Sequence, residues 1–233
     1  MVQELIEKIR EEIDMVSKEE SLTEIGKGFT LWVIEQYYAM PREEAINVMT
    51  DSSGDKRVDA LIEREDTIII IQCKYFDDEN KEIGEKEVST FKGCIDWLKQ
   101  PDEVQQLNLS KLYDASKTFE ERWNEGANVE LHYFAFGKFS DAANRERRVF
   151  NNSEYRDRIQ MYFHEIDDIL NLYQANLQLA NPLSSETINL ELIPKQFFLR
   201  KEGDFPSVVA TIKGKDLIPH CMPSMVIDYL RGI

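Results

Sequence analysis

Asp59-Ala60-Leu61-Ile62-Glu63 and Thr67-Ile68-Ile69-Ile70-Ile71-Gln72-Cys73-Lys74 are two apolar runs separated by the short polar turn Arg64-Glu65-Asp66. The second run is β-branched through its centre, the pattern of a strand buried on both faces. With so short a turn between them, the runs are expected to pair as a hairpin. Residues two apart on a strand share a face. Gln72 and Lys74 therefore point one way, and Cys73 points the other way, into packing. Pairing brings Asp59, Gln72 and Lys74 to one end of a sheet, a layout that can hold a divalent cation beside a phosphate.

Upstream, residues 2–15 place Leu5, Ile6, Ile9 and Ile13 at helical spacing. Ser21-Leu22-Thr23-Glu24 has the form of a capping box. It is expected to open a second helix reaching about Tyr38, with Phe29, Trp32, Val33 and Tyr37 as its stripe and Pro41 just past its end. Residues 45–50 read as a short strand, 51–56 as a turn, and 57–63 as an alternating strand. Downstream come an acidic loop at 76–84, a helix at 86–99 and further helical pattern at 104–123. Residues 128–136 read as a strand. Three consecutive strands imply an antiparallel meander, and the helical stretch then carries the chain to a fourth, parallel strand. A basic helix at 144–149, a strand at 158–163 and a helix at 166–180 follow. Asn181-Pro182-Leu183-Ser184-Ser185 reads as a linker, and 187–200 and 207–213 are β-rich. The expected fold class is α/β, a mixed sheet flanked by helices over residues 1–140, with an α+β extension over 141–233. The apolar end at Ile233 lacks a stop pattern, so a piece of a longer chain with further domains is expected.

The chain has 233 residues, 42% of them hydrophobic, and a mean hydropathy of −0.46, as in a soluble globular protein. No segment approaches the ~18–20 apolar residues that span a bilayer. Residues 2–8 do not resemble a signal peptide. Cys73, Cys94 and Cys221 are scattered and form no CxxC, which indicates neither a disulfide framework nor a zinc site. A reduced, cytoplasmic protein without membrane partners is expected. The net charge of −16 counts against a simple nucleic-acid binder, because phosphate binding draws on clustered Lys and Arg. A metal site nevertheless needs carboxylates, and a basic groove can sit on an acidic body.

Phosphodiester hydrolysis needs a metal ion to polarise phosphate and acidify water, oxygen ligands to hold it, and a cation for the charge that develops. Asp59 supplies a carboxylate oxygen, Gln72 an amide oxygen and Cys73 a backbone carbonyl, while Lys74 supplies the cation. Mg²⁺ is the expected cofactor, with Mn²⁺ as a substitute.

The run Ser-Ser-Gly-Asp-Lys-Arg-Val-Asp59 followed by Ile-Ile-Ile-Ile-Gln72-Cys-Lys74 resembles the PD-(D/E)XK nuclease superfamily. It is most similar to the Mrr-type branch, where Gln takes the place of the usual Asp or Glu. Gly-Phe-Thr-Leu-Trp-Val-Ile-Glu35 and Gly54-Asp-Lys-Arg-Val-Asp59 also resemble the start of bacterial abortive-infection phage-resistance (AIPR) proteins. Ile-Lys213-Gly-Lys215-Asp-Leu217 resembles a downstream AIPR segment. The resemblance covers about residues 20–140 and rests on two sharp motifs. It implies a restriction-endonuclease-like fold and metal-dependent cleavage of DNA in phage defence. On this basis Asp59 matches the first-strand metal ligand, and Gln72 and Lys74 match the Q-x-K. A helical Glu often joins them; Glu35 is the choice here and Glu24 the competitor. Thr30 stands where Mrr-type proteins tend to carry their Glu, and Asp55 lies in the approach to Asp59. Cutting two strands usually takes two sites, so a homodimer is expected.

Other groups read more plainly. His132 lies in an apolar strand as a hydrogen-bonded core residue, His164 stands alone, and His220 adjoins Cys221. Arg145, Arg147 and Arg148 form the best basic cluster. Together with Lys195, Arg200 and Lys201 they could meet phosphate, as could Lys86, Ser89 and Lys92 on one helix face. A rival reading keeps the fold as a catalytically inactive scaffold or sensor that binds protein, favoured by the acidic charge and the neutral Gln72. RNA as the substrate stays open as well.

Overall fold

A computed structural model describes residues 2–50, 56–153, 155–180, 192–202 and 205–212, with side chains described as far as residue 177. The chain divides into two compact units, Met1–Ala180 and Asn181–Ile233. The division falls at residue 180, not at 140 as expected. The reason is that the strand and helix between these positions complete the sheet and core of the first unit.

The first unit opens with α1 (Val2–Glu19), α2 (Ile25–Tyr38) and α3 (Arg42–Val48), followed by β1 (Ala60–Arg64) and β2 (Thr67–Tyr75). After β3 (Glu82–Ile83) the chain runs through α4 (Glu85–Lys92), α5 (Cys94–Leu98), α6 (Pro101–Gln105) and α7 (Ser110–Asn124) into β4 (Asn128–Phe136). Then come β5 (Lys138–Phe139), α8 (Asp141–Asn151), β6 (Ile159–His164) and α9 (Ile166–Ala180). The main sheet has the order β1-β2-β4-β6. β1 and β2 are antiparallel with Arg64 opposite Thr67, so Glu65-Asp66 form the turn. β4 lies parallel to β2, and β6 parallel to β4. The fold is thus mixed α/β, a four-stranded sheet flanked by helices.

Alternation along β2 explains its unbroken apolar run. Ile68 and Ile70 join a core with Val88, Phe91, Leu112 and Phe119 of α4 and α7. Ile69, Ile71 and Cys73 join a second core with Ile9, Phe29, Trp32 and Ile169 of α1, α2 and α9. α2 is buried on nearly every side, from Gly28 to Ile34. It approaches α1 so closely that a Cβ on Gly28 would lie 2.8 Å from the Ser17 Cβ. The interface is tied by Glu12, which accepts from the Trp32 indole at 2.9 Å and from the Tyr173 hydroxyl. Glu12→Ala orphans both donors. It is expected to lower stability by about 2–4 kcal/mol, read from the urea midpoint of unfolding.

Three local expectations change. Residues 45–50 form no strand: α3 ends at Val48, and Met49 makes a single antiparallel bridge to Ala60. Pro41 at its start and Glu43 and Glu44 in its first turn favour helix there. The meander is therefore a two-stranded hairpin. The expected capping box is not used either. Glu24 is the extended N-cap of α2 and offers no side-chain bond, and Ser21 has a left-handed φ of 53°. The expected helix at 86–99 breaks at Gly93 into α4 and α5.

The sheet edges carry partners. At β6 the Asn151 side chain imitates a strand, donating to the Met161 carbonyl at 2.9 Å and accepting from its N–H at 2.8 Å. The Ile159 N–H donates to the Tyr155 carbonyl. At β1, the Thr50 N–H donates to the Asp59 carbonyl.

In the second unit, β7 (Leu192–Glu202) and β8 (Phe205–Ile212) pair antiparallel, with a register shift between Leu192 and Phe197. The expected linker at 181–185, the segment 213–217, Asp55, His220 and Cys221 lie outside the described residues, as do the side chains of Lys195, Arg200 and Lys201. Among the described residues, no helix is long and apolar enough to cross a membrane.

Candidate metal and phosphate site

Asp59 precedes β1. Two left-handed residues, Lys56 (φ 58°) and Arg57 (φ 69°), turn the chain into it. Such backbone costs on the order of 1–3 kcal/mol per non-glycine residue and persists only where neighbours enforce it. Here Thr50 does so, through its N–H to the Asp59 carbonyl at 3.0 Å and its hydroxyl to the Val58 carbonyl. The Asp59 N–H donates to the Ile71 carbonyl at 2.8 Å, which fixes the residue against β2.

The Asp59 carboxylate meets β2 at the end of its apolar run. Oδ2 accepts from the Cys73 N–H at 2.6 Å and from Gln72 Nε2 at 2.6 Å. Gln72 Nε2 also donates to the Cys73 carbonyl at 3.0 Å. Gln72 is only 5% exposed, and its Oε1 is buried without a hydrogen-bond partner. The structure thus brings Asp59, Gln72 and the Cys73 carbonyl together. Lys74 is the next residue on the Gln72 face of β2 and is exposed, with Nζ 6.0 Å from the Phe76 ring.

Glu35 is not part of this group. Its helix, α2, packs on the opposite face of the sheet with Ile71 and Cys73. Its carboxylate accepts from Arg42 Nε at 2.6 Å and Nη2 at 3.2 Å, and Arg42 also reaches Glu19. Glu24 is exposed at the start of the same helix. Thr30, only 2% exposed, donates to the Gly26 carbonyl. Burial pushes the Cys73 thiol well up, the Asp59 charge adds to the effect, and the Thr30 hydroxyl partly offsets it. Cys73 therefore offers its carbonyl to the site and a protonated side chain to the core.

The register adds a residue that the sequence did not single out. Tyr133 lies directly across from Gln72 and is 1% exposed. Burial pushes its hydroxyl up. Arg57 opposes that shift, and Asp59 and Glu87 add to it. Nothing in the spacing of residues 128–136 could have matched Tyr133 to Gln72, because that needs the β2–β4 register.

The basic candidates are dispersed. Lys92 pairs with Glu146, and Arg147 lies over the Phe163 ring at 5.0 Å. Arg145, Arg148, Lys86 and Ser89 are exposed.

On the other face of the sheet, His132 and His164 are partners. His132 Nε2 lies 3.1 Å from Glu130 Oε2, and its Nδ1 lies 3.0 Å from His164 Nε2. Phe134 opposite His164 in the register makes this diagonal pairing possible. With Nε2–H of neutral His132 donating its hydrogen bond to Glu130, His132 Nδ1 is an acceptor and His164 Nε2 the donor. Burial lowers His132 to about 4, and burial followed by the His132 charge lowers His164.

Among the described residues, no three His, Cys, Asp or Glu side chains cluster as a metal-binding group. The groups at Asp59 are instead one carboxylate, one backbone carbonyl and an amide whose nitrogen faces both of them; turned end for end, that amide would complete a hard-oxygen set of the type Mg²⁺ takes. Gln72 Oε1, a buried acceptor without a partner, is the ligand that such a turn would bring to the ion. No family model, curated protein or solved structure matches the chain.

Proposed function

We propose that the protein is a metal-dependent nuclease with a restriction-endonuclease-like core that hydrolyses phosphodiester bonds of DNA, in bacterial phage defence. The observation that carries this reading is the meeting of Asp59, the Gln72 amide and the Cys73 carbonyl at one end of the hairpin, with Lys74 next on the same face. These three groups would hold Mg²⁺ or Mn²⁺. The Gln72 amide nitrogen lies 2.6 Å from Asp59 Oδ2 and 3.0 Å from the Cys73 carbonyl oxygen, so the three groups are within reach of one ion. Such a cation supplies polarisation of the phosphate and a water of lowered pKa. Asp59 orients the site through its bond to the Cys73 N–H. Lys74, open to solvent, presents its ammonium to the phosphate oxygens on which charge develops. DNA as the substrate and phage defence as the setting rest on the resemblance to Mrr-type and AIPR proteins.

A second reading, a protein-binding module on a nuclease-like scaffold, is favoured by the net charge of −16. Incubating supercoiled plasmid with the protein and Mg²⁺ or Mn²⁺ separates the two. Nicked or linear DNA whose appearance EDTA stops is the expected result. No cleavage of DNA or RNA with either metal would leave the binding module.

A further inference from the structure

Building on the cation site just proposed, we infer that the Gln72 amide closes that site in the cation-free protein and turns over when a divalent cation enters. Asp59 Oδ2 and the Cys73 carbonyl are both acceptors, and the same amide nitrogen bonds both of them. Without a cation only a donor can lie between two such oxygens, so Nε2 must face them. Oε1 is then driven into a buried position with no partner, a costly state for an acceptor. A cation between the oxygens reverses these preferences. The N–H dipoles then point at positive charge, and the lone pairs of Oε1 become the better neighbours. Exchange of the two ends of an amide leaves the side-chain volume almost unchanged, so the packing around a residue 5% exposed does not resist it.

The cation-free site is therefore shut by a hydrogen-bonded plug. A cation must break one charge-assisted and one neutral hydrogen bond to enter. A neutral amide suits this role, because Gln72→Glu would set a second carboxylate about where Nε2 sits, 2.6 Å from Asp59 Oδ2.

The test uses the full chain labelled with ¹⁵N in its glutamine side chains. Mg²⁺ is titrated in parallel by calorimetry, and Gln72→Glu identifies the Gln72 signal by its loss. Without Mg²⁺, the Gln72 NH₂ pair is expected to be protected from exchange. At saturation it should shift upfield, as its hydrogen bonds to Asp59 and the Cys73 carbonyl are lost. Gln72→Glu is expected to melt at lower temperature without Mg²⁺ and to bind Mg²⁺ about tenfold more tightly, as ligand charge rises. Calorimetric binding that Asp59→Asn abolishes, with the Gln72 NH₂ pair unmoved, would overturn the amide turn and leave the cation site standing. No binding of Mg²⁺ by the wild-type chain would remove the site, and the amide turn with it.

Discussion

Lys74→Ala is expected to slow Mg²⁺-dependent nicking by about 10²–10³-fold, the usual cost of removing one group that stabilises developing charge. The same change should leave the fold intact. Lys74 is exposed and its only described ring neighbour is Phe76, at 6.0 Å. Substitutions at such surface positions stay within about 0.5 kcal/mol, which is roughly 1–2 °C in melting temperature for a chain of this size. Asp59→Ala should cost more in rate, about 10³-fold or beyond, since a lost metal takes several kcal/mol with it. Asp59 is also the acceptor for the Cys73 N–H and the Gln72 amide, so this variant loses stability by about 1–3 kcal/mol for each orphaned donor. Lys74→Ala is accordingly the cleaner probe. Initial nicking rates and melting curves on the same preparations would decide. Wild-type cleavage by Lys74→Ala would sink the assignment of the site.

Acid should unfold the protein through His132 and His164. Both are held below their ordinary pKa, His132 at about 4. The unfolded chain, titrating near 6.5, then binds protons that the folded chain refuses. Stability from this source is complete above about pH 6.5 and falls as the pH drops toward 4. For His132 alone the loss is about 3 kcal/mol, and His164 adds to it in the same direction. A second proton on the pair would set N–H against N–H across 3.0 Å. Urea midpoints at pH 7, 5.5 and 4, compared with those of His132→Phe/His164→Phe, isolate this contribution from that of the carboxylates. Equal acid sensitivity of the two proteins would refute it.

Local pattern carried the hairpin, β4 and α9. Each shows a periodicity that only one kind of element satisfies, and Asp59 and Gln72 followed from their places in it. The alternation in β2 also foretold that Cys73 faces away from Gln72. What failed depended on partners distant in sequence. Residues 45–50 are apolar enough for a strand, but Pro41 and two glutamates begin a helix before the strand can start. Glu35 is on a helix that packs against the far face of the sheet, and Arg42, seven residues on, takes its carboxylate. The pairing of His132 with His164 needs the β4–β6 register, as Tyr133 beside Gln72 needs that of β2–β4.

The amide of Asn151 has a consequence for how two copies could meet. Open sheet edges invite a neighbouring molecule to add its own strand. At β6 that invitation is already answered at Met161 by Asn151 and at Ile159 by Tyr155. At the start of β1 it is answered by Met49 and Thr50. A strand arriving from a second copy would have to expel these partners first. Any contact between two copies at these positions of the main sheet would therefore have to run through helices or loops rather than through added strands.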